Sequence, residues 1–138
     1  MNLKNKNEFI PQIVVLCCEN SAYRAADMAA TLGLSYPEII KIIPFPCIGR
    51  VDERHILHAL ENGADGVMVM GCLEGSCKFL DGDVRTKKKI VYLKKTLVEI
   101  GIGDARVEFL HIAPNMGAKF LELVTEMNKK IKELGPLF

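Results

Sequence analysis

Residues 12–33 read QIVVLCCENSAYRAADMAATLG. The opening run, Gln12–Cys17, is apolar and rich in β-branched residues, which marks a strand buried on both faces of a parallel sheet. Asn20 or Ser21 can cap the helix that follows, AYRAADMAATLGL, whose Ala and Met residues fall on its inner side. Gly33 suits the C-terminal cap of that helix. Strand-then-helix recurs from there to the C-terminus. Glu38–Phe45 (EIIKIIPF) reads as a second strand, stopped by Pro44 and Pro46. Asp52 caps a helix, ERHILHALENG, that ends at Gly63. Asp65–Gly71 (DGVMVMG) is a third strand, followed by a Gly- and Asp-rich loop, CLEGSCKFLDGD. A long helix with a basic start runs from about Arg85 to Ile100, Arg106–His111 is a fourth strand, and a last helix runs from about Met116 to Leu134. The order β-α-β-α-β-α-β-α predicts one α/β domain: a parallel sheet of about four strands with helices on both faces, wound in flavodoxin-like order. Residues 1–11 read as a polar lead-in and 12–138 as the domain.

Composition sets the class. The chain has 138 residues, 49% hydrophobic and 25% charged, which suits a single domain with a real core and not a disordered chain. A net charge of +1 gives no global reason to expect a nucleic acid or an anionic membrane as partner. No apolar run is long enough to span a bilayer. The start, MNLKNKNEFIP, lacks the apolar core of a secretion signal, so a cytoplasmic location is expected.

The five cysteines carry the functional signal. A reducing cytosol disfavours a disulfide framework, and an odd number cannot pair fully within one chain. Cys17 and Cys18 end the first predicted strand, Cys47 follows the second, Cys72 directly follows the third, and Cys77 lies in the same loop. In a parallel sheet the C-terminal strand ends share one edge, where open α/β sheets bind their ligands. Four thiolates converging there suit a soft metal centre, and both iron–sulfur clusters and tetrahedral zinc use four cysteines. Structural zinc favours pairs of short-spaced cysteines in small stapled modules. Here only Cys72-x₄-Cys77 is a close pair of spaced cysteines, and the fold has core enough without a staple, so iron–sulfur ranks above zinc. Gly49, Gly71, Gly75 and Gly82 let backbone amides approach such a cluster. Neighbours on a strand face opposite ways, so Cys17 and Cys18 do not both serve. The expected ligands are Cys18, Cys47, Cys72 and Cys77, with Cys17 as core.

The stretches CCENSAYRAAD, PCIGRVDERHIL, ENGADGVMVMGCLEGSC and the following DGD resemble the methyl-viologen-reducing hydrogenase delta subunit family, over roughly Ile13 to Pro136. The resemblance implies an electron-transfer subunit with one [2Fe–2S] cluster and no reaction of its own. Such a subunit links a hydrogenase, formate dehydrogenase or similar oxidoreductase to the flavin subunit of a heterodisulfide-reductase-like, electron-bifurcating complex. It matches Cys18 to the first cysteine of a C-x-x-C-x-Y pattern, Cys47 to a C-x-G-R-V-D pattern, and Cys72 and Cys77 to a G-C…C loop. The chain departs from the family at three places. Ser21 replaces the second cysteine of the first pattern, while Tyr23 and Asp27 are kept, and Leu73 and Lys78 stand where a His usually follows each loop cysteine. Ser21 implies either that this position is not an essential ligand or that Cys17 substitutes for it.

A second reading rests on Cys18-Glu-Asn-Ser-Ala-Tyr-Arg24, a C-x₅-R at a strand end. Low-molecular-weight tyrosine phosphatases and related arsenate reductases resemble it, with a thiolate nucleophile in an anion-binding loop. The loop lacks glycine, Ala25 follows the Arg where that family has Ser or Thr, and no Asp-Pro pair supplies a general acid. Arg50 either raises a cluster's potential by its charge or pairs with an acid. His55 and His58 sit on a helix away from the loop edge and read as surface or half-buried residues. The run Arg85-Thr-Lys-Lys-Lys reads as a solvated face, or as a dock for an acidic partner.

Overall fold

The computed structural model of the chain describes residues 9–31, 33, 40–71 and 82–137. The lead-in up to residue 8, the start of the second predicted strand, and residues 72–81 with Cys72 and Cys77 lie outside the described residues. Four strands, β1 (Ile13–Cys18), β2 (Ile40–Phe45), β3 (Gly66–Gly71) and β4 (Val107–His111), form one parallel sheet in the order β2-β1-β3-β4. The helices are α1 (Ala22–Thr31), α2 (Glu53–Glu61), α3 (Gly82–Glu99) and α4 (Gly117–Leu134), with a 3₁₀ turn over Ile48–Arg50. The flavodoxin-like α/β expectation therefore holds.

The two-residue period of the strands divides the core into two layers. Ile13, Val15 and Cys17 of β1, with Met68 and Met70 of β3, face α1 and α4 and meet Ala22, Ala25, Phe120, Val124 and Ile131. Leu16 and Cys18, with Val67 and Val69, face the other side and meet Ile48, Ile56, Leu60, Ile90, Leu93 and Leu97. Burying one such large aliphatic side chain contributes about 1.5–3 kcal/mol.

Two sequence expectations change in detail. Pro44 does not stop β2 but lies inside it, paired with Cys17. This is tolerated because β2 is an edge strand, where a missing N–H can face away from the ladder. Helix α3 starts at Gly82, three residues before Arg85. On α3, Arg85, Lys87 and Lys88 are exposed, whereas Thr86 is buried.

Candidate metal centre

All four strands are parallel, so their C-terminal ends, Cys18, Phe45, Gly71 and His111, lie along one edge. Cys18 is level with Phe45 of β2, and Gly71 with His111 of β4. The ladder continues one step past the strand ends on both sides. The Glu19 N–H donates to the Phe45 carbonyl at 2.8 Å, and the Ile112 N–H to the Gly71 carbonyl at 2.9 Å.

Cys47 follows β2 across Pro46 and caps the 3₁₀ turn. It is 6% exposed. Its Sγ accepts the Gly49 N–H at 3.3 Å, and its carbonyl accepts the Arg50 N–H at 3.0 Å. An amide aimed at sulfur favours the thiolate and is the type of contact that tunes thiolate-bound iron. Thr86 of α3 donates its hydroxyl to the Ile48 carbonyl at 2.7 Å, which pins the turn from the opposite side. The Asn20 side chain donates to the Pro46 carbonyl at 3.3 Å, joining the loop after Cys18 to the residue before Cys47.

Cys18 is 2% exposed and lies in the core layer that contains Ile48 and Val51. Cys17 lies in the opposite layer, and burial first, then the neighbouring Cys18, pushes its thiol up to about 12. Cys18 and Cys47 thus lie at one edge of the sheet, and Cys17, beside Cys18 in β1, lies on the opposite face. Among the described residues, no three His, Cys, Asp or Glu side chains gather as a metal site, and two of the four expected ligands fall outside those residues.

Neither Asn20 nor Ser21 caps α1 as expected. Asn20 is drawn to Pro46, and Ser21, 1% exposed, has a hydroxyl with no hydrogen-bond partner among the described residues. Asp52 does cap α2. It accepts the Arg54 N–H at 2.9 Å, while His55 Nδ1 accepts the Asp52 N–H at 3.0 Å. His55 is thus a capping residue, its ring edge-on to Phe45, and His58 is exposed. Arg50 is exposed at the end of the 3₁₀ turn.

Sequence reasoning missed Asn20 and Thr86 at this edge. Thr86 sits in a run of cations, and its helical position on the inner face was the available signal. The phosphatase-like reading finds no support. Its nucleophile would be the buried Cys18, and its Arg24 is exposed on α1.

No helix among the described residues is long and apolar enough to cross a membrane. The profile of the family described as methyl-viologen-reducing hydrogenase, delta subunit, matches residues 13–135. The chain is 43% identical to the iron–sulfur subunit of the F420-non-reducing hydrogenase of Archaeoglobus profundus, over 94% of both chains. It is 41% identical to the corresponding vhu iron–sulfur subunit of Methanopyrus kandleri, over 91% of this chain and 95% of that one. A subunit of the ferredoxin:CoB-CoM heterodisulfide reductase of Methanosarcina mazei is 34% identical over 92% of this chain, a stretch that makes up 16% of that larger protein. With a profile match running almost end to end, the chain belongs to the methyl-viologen-reducing hydrogenase delta subunit family.

Proposed function

We propose that this chain is a cytoplasmic electron-transfer subunit whose domain, residues 12–138, carries one [2Fe–2S] cluster on Cys18, Cys47, Cys72 and Cys77. Such a cluster supplies a one-electron carrier. The observation that carries the reading is the edge itself. Cys18, at the end of β1, and Cys47, in the turn after β2, are both buried, and the Gly49 amide is already aimed at the Cys47 sulfur. The donor set fits: soft thiolates, backbone N–H groups and a buried hydroxyl. Cys72 follows Gly71, the last residue of the strand beside β1, so its loop leaves from the same edge.

Electrons pass between an upstream oxidoreductase, such as a hydrogenase or formate dehydrogenase, and the flavin subunit of a heterodisulfide-reductase-like, electron-bifurcating complex. Support comes from relatives named as hydrogenase iron–sulfur subunits. It comes also from a much longer heterodisulfide reductase polypeptide that contains a stretch like nearly all of this chain. A module built into such a polypeptide in one lineage is suited to dock on its counterpart in another.

The test is protein purified without air. About two irons and two sulfides per chain, with an S = 1/2 EPR signal after dithionite, are expected. Serine variants of Cys18, Cys47, Cys72 and Cys77 should each lose the signal, and Cys17→Ser should keep it. Zinc without iron would make the site structural and overturn the electron-transfer reading.

A further inference from the structure

We infer that Ser21 is a positioning residue whose hydroxyl donates a hydrogen bond to a cluster sulfur and holds the reduction potential up; the inference rests on the iron–sulfur reading above. Ser21 stands immediately before α1. Its N–H donates to the Cys18 carbonyl at 3.2 Å, and its carbonyl accepts the Ala25 N–H at 2.9 Å. A serine in that place normally turns its oxygen back to accept an amide of the first helical turn. Ser21 does not. Its Oγ is buried with no partner among the described residues, although the residue is only 1% exposed.

A buried hydroxyl left unpaired is costly, and alanine would remove that cost. The surroundings make alanine an easy fit, since Ala22, Ala25 and Ala26 are buried on the adjoining turn. A buried hydroxyl in such a place points to an acceptor that the described residues do not supply. The nearest functional group along the chain is Cys18, whose carbonyl Ser21 already holds. Asn20, one residue earlier, ties the same loop to Pro46 beside Cys47. Ser21 is therefore tied to Cys18 at the end of β1, and the residue before it to Pro46 beside Cys47. Thiolate and sulfide sulfurs accept hydrogen bonds, and such bonds to a cluster set its potential.

A hydroxyl at this position donates to sulfur without competing for iron as a thiolate would. Donation to sulfur stabilises the added negative charge of the reduced state more than the oxidised state, so it raises the potential.

The experiment is a redox titration followed by EPR on anaerobically purified full-length wild type, Ser21→Ala and Ser21→Cys, with iron and sulfide counted and pulsed EPR recorded in H₂O and D₂O. We expect Ser21→Ala to keep its iron and to lose one exchangeable proton coupled to the reduced cluster. Its potential should fall by about tenfold in the reduction equilibrium, or ~59 mV for one electron. Ser21→Cys is close to wild type in shape and should fold even if Ser21→Ala does not. Its weaker S–H donor should place its potential below wild type and above Ser21→Ala. Unchanged potentials in the loaded variants overturn the inference alone. So does loss of iron from Ser21→Ala with retention in Ser21→Cys, which would make position 21 a ligand. A wild type without iron and sulfide overturns the iron–sulfur reading and this inference with it.

Discussion

Cys17 and Cys18, adjacent on β1, face opposite sides of the sheet: Cys17 joins the layer of Ala22 and Phe120, and Cys18 the layer of Ile48 and Val51. Their chemistry should separate accordingly. Cys17→Ala removes one buried sulfur from an apolar layer and should cost roughly 1–2 kcal/mol, with iron content unchanged. Cys18→Ala should abolish iron binding under anaerobic reconstitution. Iron per chain and urea unfolding on both variants decide the matter. A folded Cys17→Ala protein that binds no iron would make Cys17 the ligand.

Helices α1 and α4 approach closely at Gly117. A Cβ there would lie 2.9 Å from the Ala29 backbone nitrogen and 3.0 Å from Met28 Cγ. At Gly66 a Cβ would meet Ile131 Cγ1 and Met127 Cε at 2.9 Å; both are side-chain atoms, and the Met127 methyl ends a flexible chain that can give, whereas the contact at Gly117 is to backbone. Gly117→Ala should therefore destabilise the fold by about 1–3 kcal/mol, and Gly66→Ala by less. Denaturant midpoints measured side by side check the ranking. The reverse order would mean that α4 slides freely on α1.

The sheet was readable because Gln12–Cys17 and Asp65–Gly71 are almost wholly apolar, as strands covered on both faces must be. The edge strand was harder. In β2, Lys41 and Pro44 are exposed and the other four residues half-buried, so Pro44 looked like a terminator when it is a tolerated edge residue. Asp52 was legible as a cap because capping is local and needs only the next three residues. Ser21 was not, because its place depends on what surrounds it: Asn20 is drawn away to Pro46, and the alanines of the turn that follows are buried in the core. The placing of Cys18 and Cys47 on one edge followed from topology alone. The Gly49 contact to Cys47 and the Thr86 bond behind it depend on a 3₁₀ turn that no periodicity in IGR announces.

Arg106 is a buried clamp at the opposite end of the sheet from Cys18 and Cys47. It donates to the Asp65 carbonyl at 3.0 Å and to the Gly135 carbonyl at 2.9 Å, while the Asp65 carboxylate accepts the Gln12 and Leu137 N–H groups. Four chain segments meet there. Arg106→Ala leaves two carbonyls without their donor and should cost roughly 2–4 kcal/mol. Arg106→Lys should recover only part of it, because one ammonium does not reproduce the two-pronged geometry. Thermal unfolding of both variants reads the difference, and a lysine variant as stable as wild type would refute the two-pronged role.

Asp52 links the turn after Cys47 to α2, and its carboxylate should show in the pH profile of stability. The Arg54 side chain, chiefly by its 3.0 Å hydrogen bond, holds the Asp52 carboxyl below the usual carboxylate range. Burial opposes this as the next-largest effect, and the Arg54 amide and the charges of Arg54 and His55 add smaller contributions that lower it further. A folded-state value below the unfolded one means that the charged cap stabilises fully above the ordinary Asp range near ~3.9. That stabilisation fades as pH falls through the lowered value. Asp52 is half-buried but its partner Arg54 is exposed, so solvent screens the pair and the charge itself is worth only about a few tenths of a kcal/mol, whereas deleting the cap with Asp52→Ala should cost about 1 kcal/mol. Asp52→Asn keeps an acceptor for the Arg54 N–H without a titrating charge. Urea midpoints at roughly pH 6 should place Asp52→Asn slightly below wild type, and at roughly pH 3 and lower the gap should close. A gap that widens on acidification would show that Asp52 is stabilised by its proton and not by its charge.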